Sequence, residues 1–550
     1  MRQLHLLVWA LFGLYSLTGC SLKDEKLNLR NKGKGKGAES GSLSLDNAED
    51  CRWKMTDIPN DMNPGSIKNV QFMKHFTVDE LNAVVPEAIG KAKNGVDAFK
   101  IIYYSPGIAS ANSNYMELSG LVLVPTDCKK EYPTISLQHY TLLKKDKAPS
   151  LSPEEGIVEA SQGYVTVVAD YIGYGQSASM MHPYLIQEGY TDSIIDMLRA
   201  ARNFAKNNDV KIDKDLFLKG YSEGGYATMA LQKELESNYR DEFPIRASAP
   251  SAGPYNVLLS GYSTLKSEYS NPFLVYLILS YVNYLPMNTK VEDILQKTGE
   301  LNYASLFDGH LDTGEIAQQI PQKIDDLVVS GFKTNYILNT EALMAGAVNT
   351  NLSDFEKFLL ANDVSQGWTV KSPTRLFHCV DDDIVPSLSS DLAFKTLSAG
   401  SNMVTYEKIP SPDGIKFTHL TCPAVISPIL WFNQFMTDLY DDLQSKKGKD
   451  SSDNNQSVDD TGADNESKDS VAVEPASQPV ATEAEPVKDN DYNGSNDEKE
   501  TKAVSNQNVG QNKDDVSGKV SQNIDAAQKT VDTSNTAASV SQNSETVDAL

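Results

Sequence analysis

The chain has 550 residues, a formal net charge of −25 and 40% hydrophobic residues. This length allows one large domain with additional segments, or several smaller domains. The acidic balance argues against nucleic acid as a partner, because phosphate binding needs a basic surface. Nearly half of the net negative charge follows about Ser445, so the charge says little about a substrate.

The first twenty residues predict a bacterial lipoprotein signal peptide. Arg2 precedes an apolar run from Leu6 to Leu17 that is too short to span a bilayer comfortably. Residues 17–20 read Leu-Thr-Gly-Cys and resemble a lipobox, in which Cys20 is lipidated; an ordinary cleaved secretory signal is the alternative. By resemblance to Gram-negative lipoproteins, Ser21 favours the outer membrane. We therefore expect a protein of the bacterial cell envelope, held to the membrane by a lipid anchor.

Two segments lack the apolar residues of a folded core. Residues 21–50 contain alternating lysine and glycine from Lys32 to Gly37 and predict a flexible linker. Polar and charged residues dominate from 445 to 550, where Tyr492 is the only aromatic residue. This composition predicts an acidic disordered tail of unknown partner. The folded domain is expected at residues 51–444.

Short β-rich runs alternate with helical patterns inside that domain, which predicts an α/β fold with a mostly parallel sheet covered on both faces. The predicted strands are Phe99–Tyr104, Leu118–Val124, Thr134–Gln138, Val165–Ala169, Leu216–Lys219, Ile245–Ala249, Arg375–Val380 and Val404–Ile409. Apolar residues recur at helical spacing in Thr191–Lys206, Gly225–Glu236 and Pro428–Leu443.

Residues 255–365 interrupt this alternation, because they contain helical patterns but no clear strand. Their most apolar part, Pro272–Pro286, is too short for a membrane span and has proline at both ends. We interpret the stretch as a helical cap over a pocket; a packed structural insertion is the alternative.

Residues 220–224 read Gly-Tyr-Ser-Glu-Gly and fit the pattern G-x-S-x-G. The pattern stands between a predicted strand and a predicted helix, as a nucleophile elbow requires. Such a turn lifts the hydroxyl of Ser222 above the sheet, near a helix start that favours developing negative charge. We predict Ser222 as the nucleophile; an ordinary glycine-rich turn is the alternative.

The general base follows by elimination. With this elbow, the chain order is serine, acid, histidine. An acidic loop, Asp381–Asp383, follows the strand Arg375–Val380, and His419 is the only histidine beyond it. We predict that His419 activates Ser222; a surface loop histidine is the alternative.

Three adjacent aspartates compete for the acid role, namely Asp381, Asp382 and Asp383. Residues 378–386 resemble H-G-x-x-D-x-x-V-P, a pattern common after the acid-bearing strand of α/β-hydrolases. That resemblance selects Asp382, which would fix the tautomer of His419. The other two would serve loop solvation or turn hydrogen bonds.

The oxyanion hole needs two backbone N–H donors. One is predicted at Glu223, directly after the nucleophile. Residues 139–141 read His-Tyr-Thr and resemble an oxyanion loop in which tyrosine replaces the usual glycine. We predict Tyr140 as the second donor, with Thr141 as the other candidate. We expect His139 to support the loop.

Four cysteines follow the signal peptide, and export to an oxidising compartment would permit disulfides. We predict the pair Cys379–Cys422, because the acid and base loops must meet. The pair Cys51–Cys128 follows only by elimination. Free buried thiols are the alternative.

Further segments resemble one family, the secretory lipases among the α/β-hydrolases and their bacterial relatives. These segments are residues 169–175, 182–185 and 196–200, together with the Ser222 elbow and the Asp382 region. The resemblance covers about Lys100 to Asp441. It implies the α/β-hydrolase fold, a lid inserted before the acid strand, and hydrolysis of acyl esters without a metal or other cofactor.

These residues predict a serine hydrolase that cleaves carboxylic esters through an acyl-enzyme intermediate. The substrate would be a small ester or a lipid, and the aromatic cap favours an apolar acyl chain or aromatic group. Two alternatives stay open. One is a serine peptidase of the prolyl-oligopeptidase type, and the other is a non-catalytic surface lipoprotein.

Overall fold

The computed structural model describes residues 53–54, 61–106, 108, 115–265, 270–285, 289–296, 302–328, 330 and 352–436. The predicted signal peptide, the linker and the acidic tail lie outside these residues. The domain limits at 51 and 444 therefore stay predictions.

One nine-stranded sheet organises the described residues, with the order β1-β2-β3-β5-β4-β6-β7-β8-β9. The strands are β1 (Ile67–Phe76), β2 (Val96–Ser105), β3 (Met116–Pro125), β4 (Glu131–Gln138), β5 (Val165–Ala169), β6 (Lys211–Tyr221), β7 (Ile245–Ser251), β8 (Thr374–Cys379) and β9 (Val404–Ile409). Strands β4 to β9 are mutually parallel, while β1, β2 and β3 join by antiparallel pairing. This is the α/β-hydrolase fold that the sequence predicts.

Eight of these strands correspond to the predicted runs, and β5 and β9 have the predicted bounds. Strand β1 was not predicted. It is an edge strand that buries few side chains, among them Ile67, Val70 and Phe76. Without a partner strand on one side, its other residues face solvent and leave no continuous apolar run.

Helices pack on both faces of the sheet, and further helices lie in an insertion between β7 and β8. They are α1 (Val78–Asn82), α2 (Ile157–Ser161), α3 (Gln187–Asn207), α4 (Glu223–Asn238), α5 (Val257–Leu265), α6 (Pro272–Tyr284), α7 (Val291–Ile294), α8 (Tyr303–Leu306), α9 (Thr313–Ala317), α10 (Ile324–Leu327), α11 (Asp354–Ala361), α12 (Leu388–Gly400) and α13 (residues 428–436). Side chains alternate along β3, so Leu121 and Leu123 join one apolar cluster and Val122 and Val124 join the other. The two clusters form the core on either side of the sheet.

The insertion between β7 and β8 carries helices α5 to α11, and its described part has one isolated β-bridge, Leu295–Val328. Helix α6 begins at Pro272 with Asn271 as N-cap. Most of this helix is buried, and Tyr281 donates a hydrogen bond of 2.8 Å to the carbonyl of Leu185 below it. Among the described helices, none has the length and apolarity to cross a membrane.

Candidate active site

Ser222 occupies the sharp turn between β6 and α4. Its backbone has φ 60° and ψ −123°, a strained conformation for a residue with a side chain. A Cβ on Gly220 would lie 2.2 Å from the carbonyl oxygen of Gly224, and one on Gly224 would lie 2.1 Å from that of Gln138. Both glycines are therefore needed for this turn. The structure places the predicted nucleophile in an elbow, with its side chain partly exposed.

Three predicted residues meet in one hydrogen-bonded row. The Nε2 atom of His419 lies 2.7 Å from Ser222 Oγ, and its Nδ1 atom lies 2.6 Å from Asp382 Oδ2. The side chains of His419 and Asp382 are almost completely buried. This arrangement can move a proton from the hydroxyl to the imidazole and stabilise the resulting imidazolium.

Asp382 is held in place by hydrogen bonds to both of its carboxylate oxygens. Its Oδ1 accepts from the backbone N–H groups of Ile384 and Val385, at 3.1 and 2.8 Å. Burial alone would raise the pKa of Asp382, but hydrogen bonds from His378 and His419 lower it to about 2. Asp382 is therefore ionised at any pH near neutrality.

The neighbouring aspartates have different surroundings. Asp381 is exposed. Asp383 is also exposed, and its Oδ1 accepts a 3.0 Å hydrogen bond from the backbone N–H of His419. Among the three, Asp382 contacts the imidazole and Asp383 contacts the backbone of the same residue.

Two further side chains, to which the sequence assigned no role, support the row. The buried His378 has Nε2 2.9 Å from the carbonyl of Val385 and 3.2 Å from Asp382 Oδ2. Tyr221 donates a 2.7 Å hydrogen bond to the carbonyl of His419, and the two rings lie 5.0 Å apart. Both residues stand inside the recognised motifs, but the motifs alone do not reveal these contacts.

A disulfide joins Cys379 to Cys422, with a Cα separation of 5.9 Å. It connects the end of β8 to the segment just after His419, which confirms this predicted pair. Cys128 is also in a disulfide. Cys51 lies outside the described residues, so its predicted pairing stays a prediction.

The loop after β4 lies against the elbow. The close approach of Gly224 to the carbonyls of Gln138 and His139 brings residues 138–140 beside the start of α4. Helix α4 begins at Glu223, where the first-turn backbone N–H groups lack helical partners. The placement agrees with the predicted donors Glu223 and Tyr140, whose roles stay predictions.

His139 has the surroundings of a supporting residue. It is completely buried, and burial lowers its pKa. Its Nδ1 lies 2.7 Å from the carbonyl of Tyr140, and its Nε2 lies 3.1 Å from that of Asp170. Since both ring nitrogens face carbonyl oxygens, the imidazole connects two loops and does not point a nitrogen at Ser222.

Residues 157–257 match the family model named secretory lipase. The match spans under a fifth of the 550 residues and includes Ser222. No curated protein sequence matches the chain significantly.

The chain is similar to solved structures over about two thirds of its length. A Legionella pneumophila protein described as a hydrolase has 23% identity and a TM-score of 0.58 over 67% of this chain and 98% of its own. The rice cell wall degrading esterase LipA from Xanthomonas oryzae, in a ligand-bound form, has 24% identity and a TM-score of 0.56 over 66% of this chain and 96% of its own. At such identities the likeness establishes the α/β-hydrolase fold.

Proposed function

We propose that the chain is a serine hydrolase that cleaves carboxylic esters through an acyl-enzyme intermediate. The observation that carries the proposal is the hydrogen-bonded row of Ser222, His419 and Asp382 on a strained elbow. The secretory lipase match over residues 157–257 supports an ester as the substrate class. The fold alone would not, because α/β-hydrolases host many activities.

The geometry supports a two-step acyl transfer. Ser222 attacks the ester carbonyl while His419 takes its proton, and Asp382 stabilises the imidazolium. The negative oxygen of the tetrahedral intermediate is held by the backbone N–H groups of Glu223 and Tyr140. His419 then protonates the leaving alcohol, and it activates the water that hydrolyses the acyl-enzyme.

The substrate we propose is a small ester or lipid with an apolar acyl chain. The cap supports this choice, because α6 contributes a buried face rich in tyrosine and aliphatic side chains. Tyr276 of this helix stacks on Tyr184, with ring centroids 5.0 Å apart.

The decisive experiment is Ser222→Ala, with Ser237→Ala near the other end of α4 as the matched control. We expect Ser222→Ala to lose hydrolysis of p-nitrophenyl butyrate and labelling by a fluorophosphonate, with an unchanged circular dichroism spectrum. Ser237→Ala should keep both activities. Proline-amide substrates, assayed alongside, separate an esterase from a peptidase. Full esterase activity in Ser222→Ala would refute the assignment.

We also propose that the protein is exported and lipid-anchored through Cys20. The lipobox-like residues 17–20 and the disulfide Cys379–Cys422 support export, since disulfides persist in oxidising compartments. Cys20→Ala should abolish incorporation of an alkynyl fatty acid in a Gram-negative host and release the protein from the membrane fraction.

A further inference from the structure

Glu223, the residue after the nucleophile, has a carboxylate with no access to solvent. Its Oε1 lies 2.8 Å from Nε2 of the equally buried His182 and accepts a 3.0 Å hydrogen bond from the hydroxyl of Tyr190. Burying a carboxylate away from water is unfavourable unless the group is paired and hydrogen-bonded. The elbow therefore carries a buried acid that is compensated by a specific partner.

The hydrogen-bond partners define the charge of this pair. The Nδ1 atom of His182 lies 2.8 Å from the carbonyl of Ile172, so both ring nitrogens face oxygen acceptors. Burial opposes ionisation of Glu223, but the nearby imidazoles, His182 above all, outweigh it and lower its pKa. The carbonyl of Ile172 can only accept, so Nδ1 of His182 carries a proton, and two unprotonated acceptors would not lie 2.8 Å apart at Nε2 and Oε1. One proton thus lies between Nε2 of His182 and Oε1 of Glu223, and the pair is neutral as a whole.

The pair is connected to the loop after β4 by stacked rings. Tyr171 lies between His182 and His139, with ring centroids 5.8 and 3.9 Å away. Its hydroxyl donates a 3.2 Å hydrogen bond to the carbonyl of His139. Through these contacts, the side chain of Glu223 is tied to the segment that carries Tyr140.

We propose that the Glu223–His182 pair is a positioning element of the oxyanion hole, and that its neutrality is required for catalysis. The inference rests on the proposed function. The buried side-chain contacts hold the N–H of Glu223 in one direction. A lone carboxylate beside this N–H would oppose the negative charge of the tetrahedral intermediate, and the low dielectric of the site would strengthen that opposition. The proton between Oε1 of Glu223 and Nε2 of His182 removes this opposition.

The groups around Glu223 do not replace His182 in this role. In the part of the chain that the structure describes, five tyrosines interact electrostatically with the carboxylate of Glu223. Burial raises the pKa of each of them, so their side chains stay neutral. They are Tyr171, Tyr174, Tyr184, Tyr190 and Tyr276. Burial lowers the pKa of His139. Among the described residues around Glu223, His182 is the one whose ring nitrogen contacts the carboxylate.

A double-variant comparison tests the proposal. In His182→Gln, the unpaired Glu223 takes up a proton near neutral pH, because burial then dominates its pKa, and it ionises as the pH rises. We expect the kcat for p-nitrophenyl butyrate to fall by about tenfold or more between pH 7 and 9, with KM nearly unchanged. His182→Gln/Glu223→Gln lacks the carboxylate and should show no such alkaline loss. At pH 9 it should therefore be about tenfold more active than His182→Gln.

A merely structural role predicts the opposite order, with the double variant no more active than His182→Gln at every pH. That result, or a loss confined to KM, would overturn the proposal. Glu356→Gln is the matched control for stability, because Glu356 is a fully buried carboxylate bonded to the hydroxyl of Tyr262 in the cap. Its kcat should keep the pH dependence of the wild-type protein. All rates are taken well below each melting temperature.

The rate of fluorophosphonate labelling separates this inference from the proposed function. If the wild-type protein is labelled but hydrolyses no ester, the proposed function fails. The labelling rate then tests the role of the pair: it should fall at alkaline pH in His182→Gln and should be restored in His182→Gln/Glu223→Gln. If the wild-type protein is neither active nor labelled, both proposals fall.

Discussion

At the scale of single residues, the acidic loop shows how neighbouring identical side chains acquire different roles. Asp382 contacts the imidazole of His419, Asp383 contacts its backbone N–H, and Asp381 faces solvent. An acceptor at Nδ1–H keeps the imidazole in one tautomer, and an ionised acceptor also stabilises the imidazolium.

We therefore expect Asp382→Asn to lower kcat/KM on p-nitrophenyl butyrate by about 10³–10⁴-fold, as in other triads. Asp383→Asn keeps an acceptor oxygen near His419 and should cost about fivefold or less, the effect of one exposed hydrogen bond. Asp381→Asn should match the wild-type protein. A larger loss of kcat/KM at Asp381 or Asp383 than at Asp382 would contradict the assignment of Asp382 as the acid.

The low pKa of Asp382 also makes a prediction about stability. A folded-state pKa of about 2 lies below the ordinary value of 3.8. The ionised group therefore stabilises the fold by about 2 kcal/mol above pH 4, and this contribution disappears as the pH falls from 4 towards 2. The difference in unfolding free energy between wild type and Asp382→Asn should shrink over that interval, as measured by urea titration. A difference that is constant from pH 5 to 2.5 would contradict it.

At the scale of elements, the site depends on two loops that are distant in sequence. The disulfide Cys379–Cys422 closes a segment with a sequence separation of 43 between β8 and the His419 loop. Tyr221 adds a hydrogen bond from the elbow to the same loop. The base is thereby held from two directions, which limits its motion relative to Ser222.

Replacing both cysteines of this pair by alanine should lower the unfolding free energy by about 2–4 kcal/mol, because the unfolded chain regains loop entropy. It should also lower kcat/KM at temperatures where the protein is still folded, because His419 loses a restraint. Cys128→Ala serves as the control, since Cys128 lies in another disulfide on the loop after β3. It should reduce stability without a comparable loss of activity. Equal activity losses in both variants would contradict the positional argument.

At the scale of the whole molecule, helix α13 marks the last described part of the fold. Phe432 is fully buried, and its ring lies 4.9 Å from that of Phe217 in β6. The hydroxyl of Tyr164 donates a 3.0 Å hydrogen bond to Asn433. The helix therefore belongs to the core on its face of the sheet, and it follows the His419 loop directly.

Truncation after Lys449 should leave the rate on a soluble ester nearly unchanged, because the removed residues contain few large apolar side chains. Truncation before Trp431 removes the buried Phe432 and should unfold the protein, since losing one buried phenylalanine side chain already costs about 3–5 kcal/mol. Specific activity and melting temperature of the two proteins provide the comparison. A large activity loss in the longer protein would mean that the tail contributes to the enzyme.

Much of the architecture was predictable because it depends on local periodicity and on local sterics. Buried strands such as β5 are short runs dominated by β-branched and apolar residues, and helices such as α3 repeat their apolar residues every three to four positions. The elbow was equally predictable from the sequence, since only glycine at 220 and 224 permits so tight a turn. The edge strand β1 was missed because its exposed face carries no such signal.

The contacts of the site, in contrast, depend on how distant segments meet. His419 lies 197 positions from Ser222 and 37 from Asp382, and no periodicity connects them. A motif resemblance selected Asp382, but the folded loops alone distinguish its contact from that of Asp383. The hydrogen bonds of His378 and Tyr221, and the buried pair of Glu223 and His182, are tertiary for the same reason. Desolvation and pairing act between side chains that come together only when the sheet, the helices and their loops have packed.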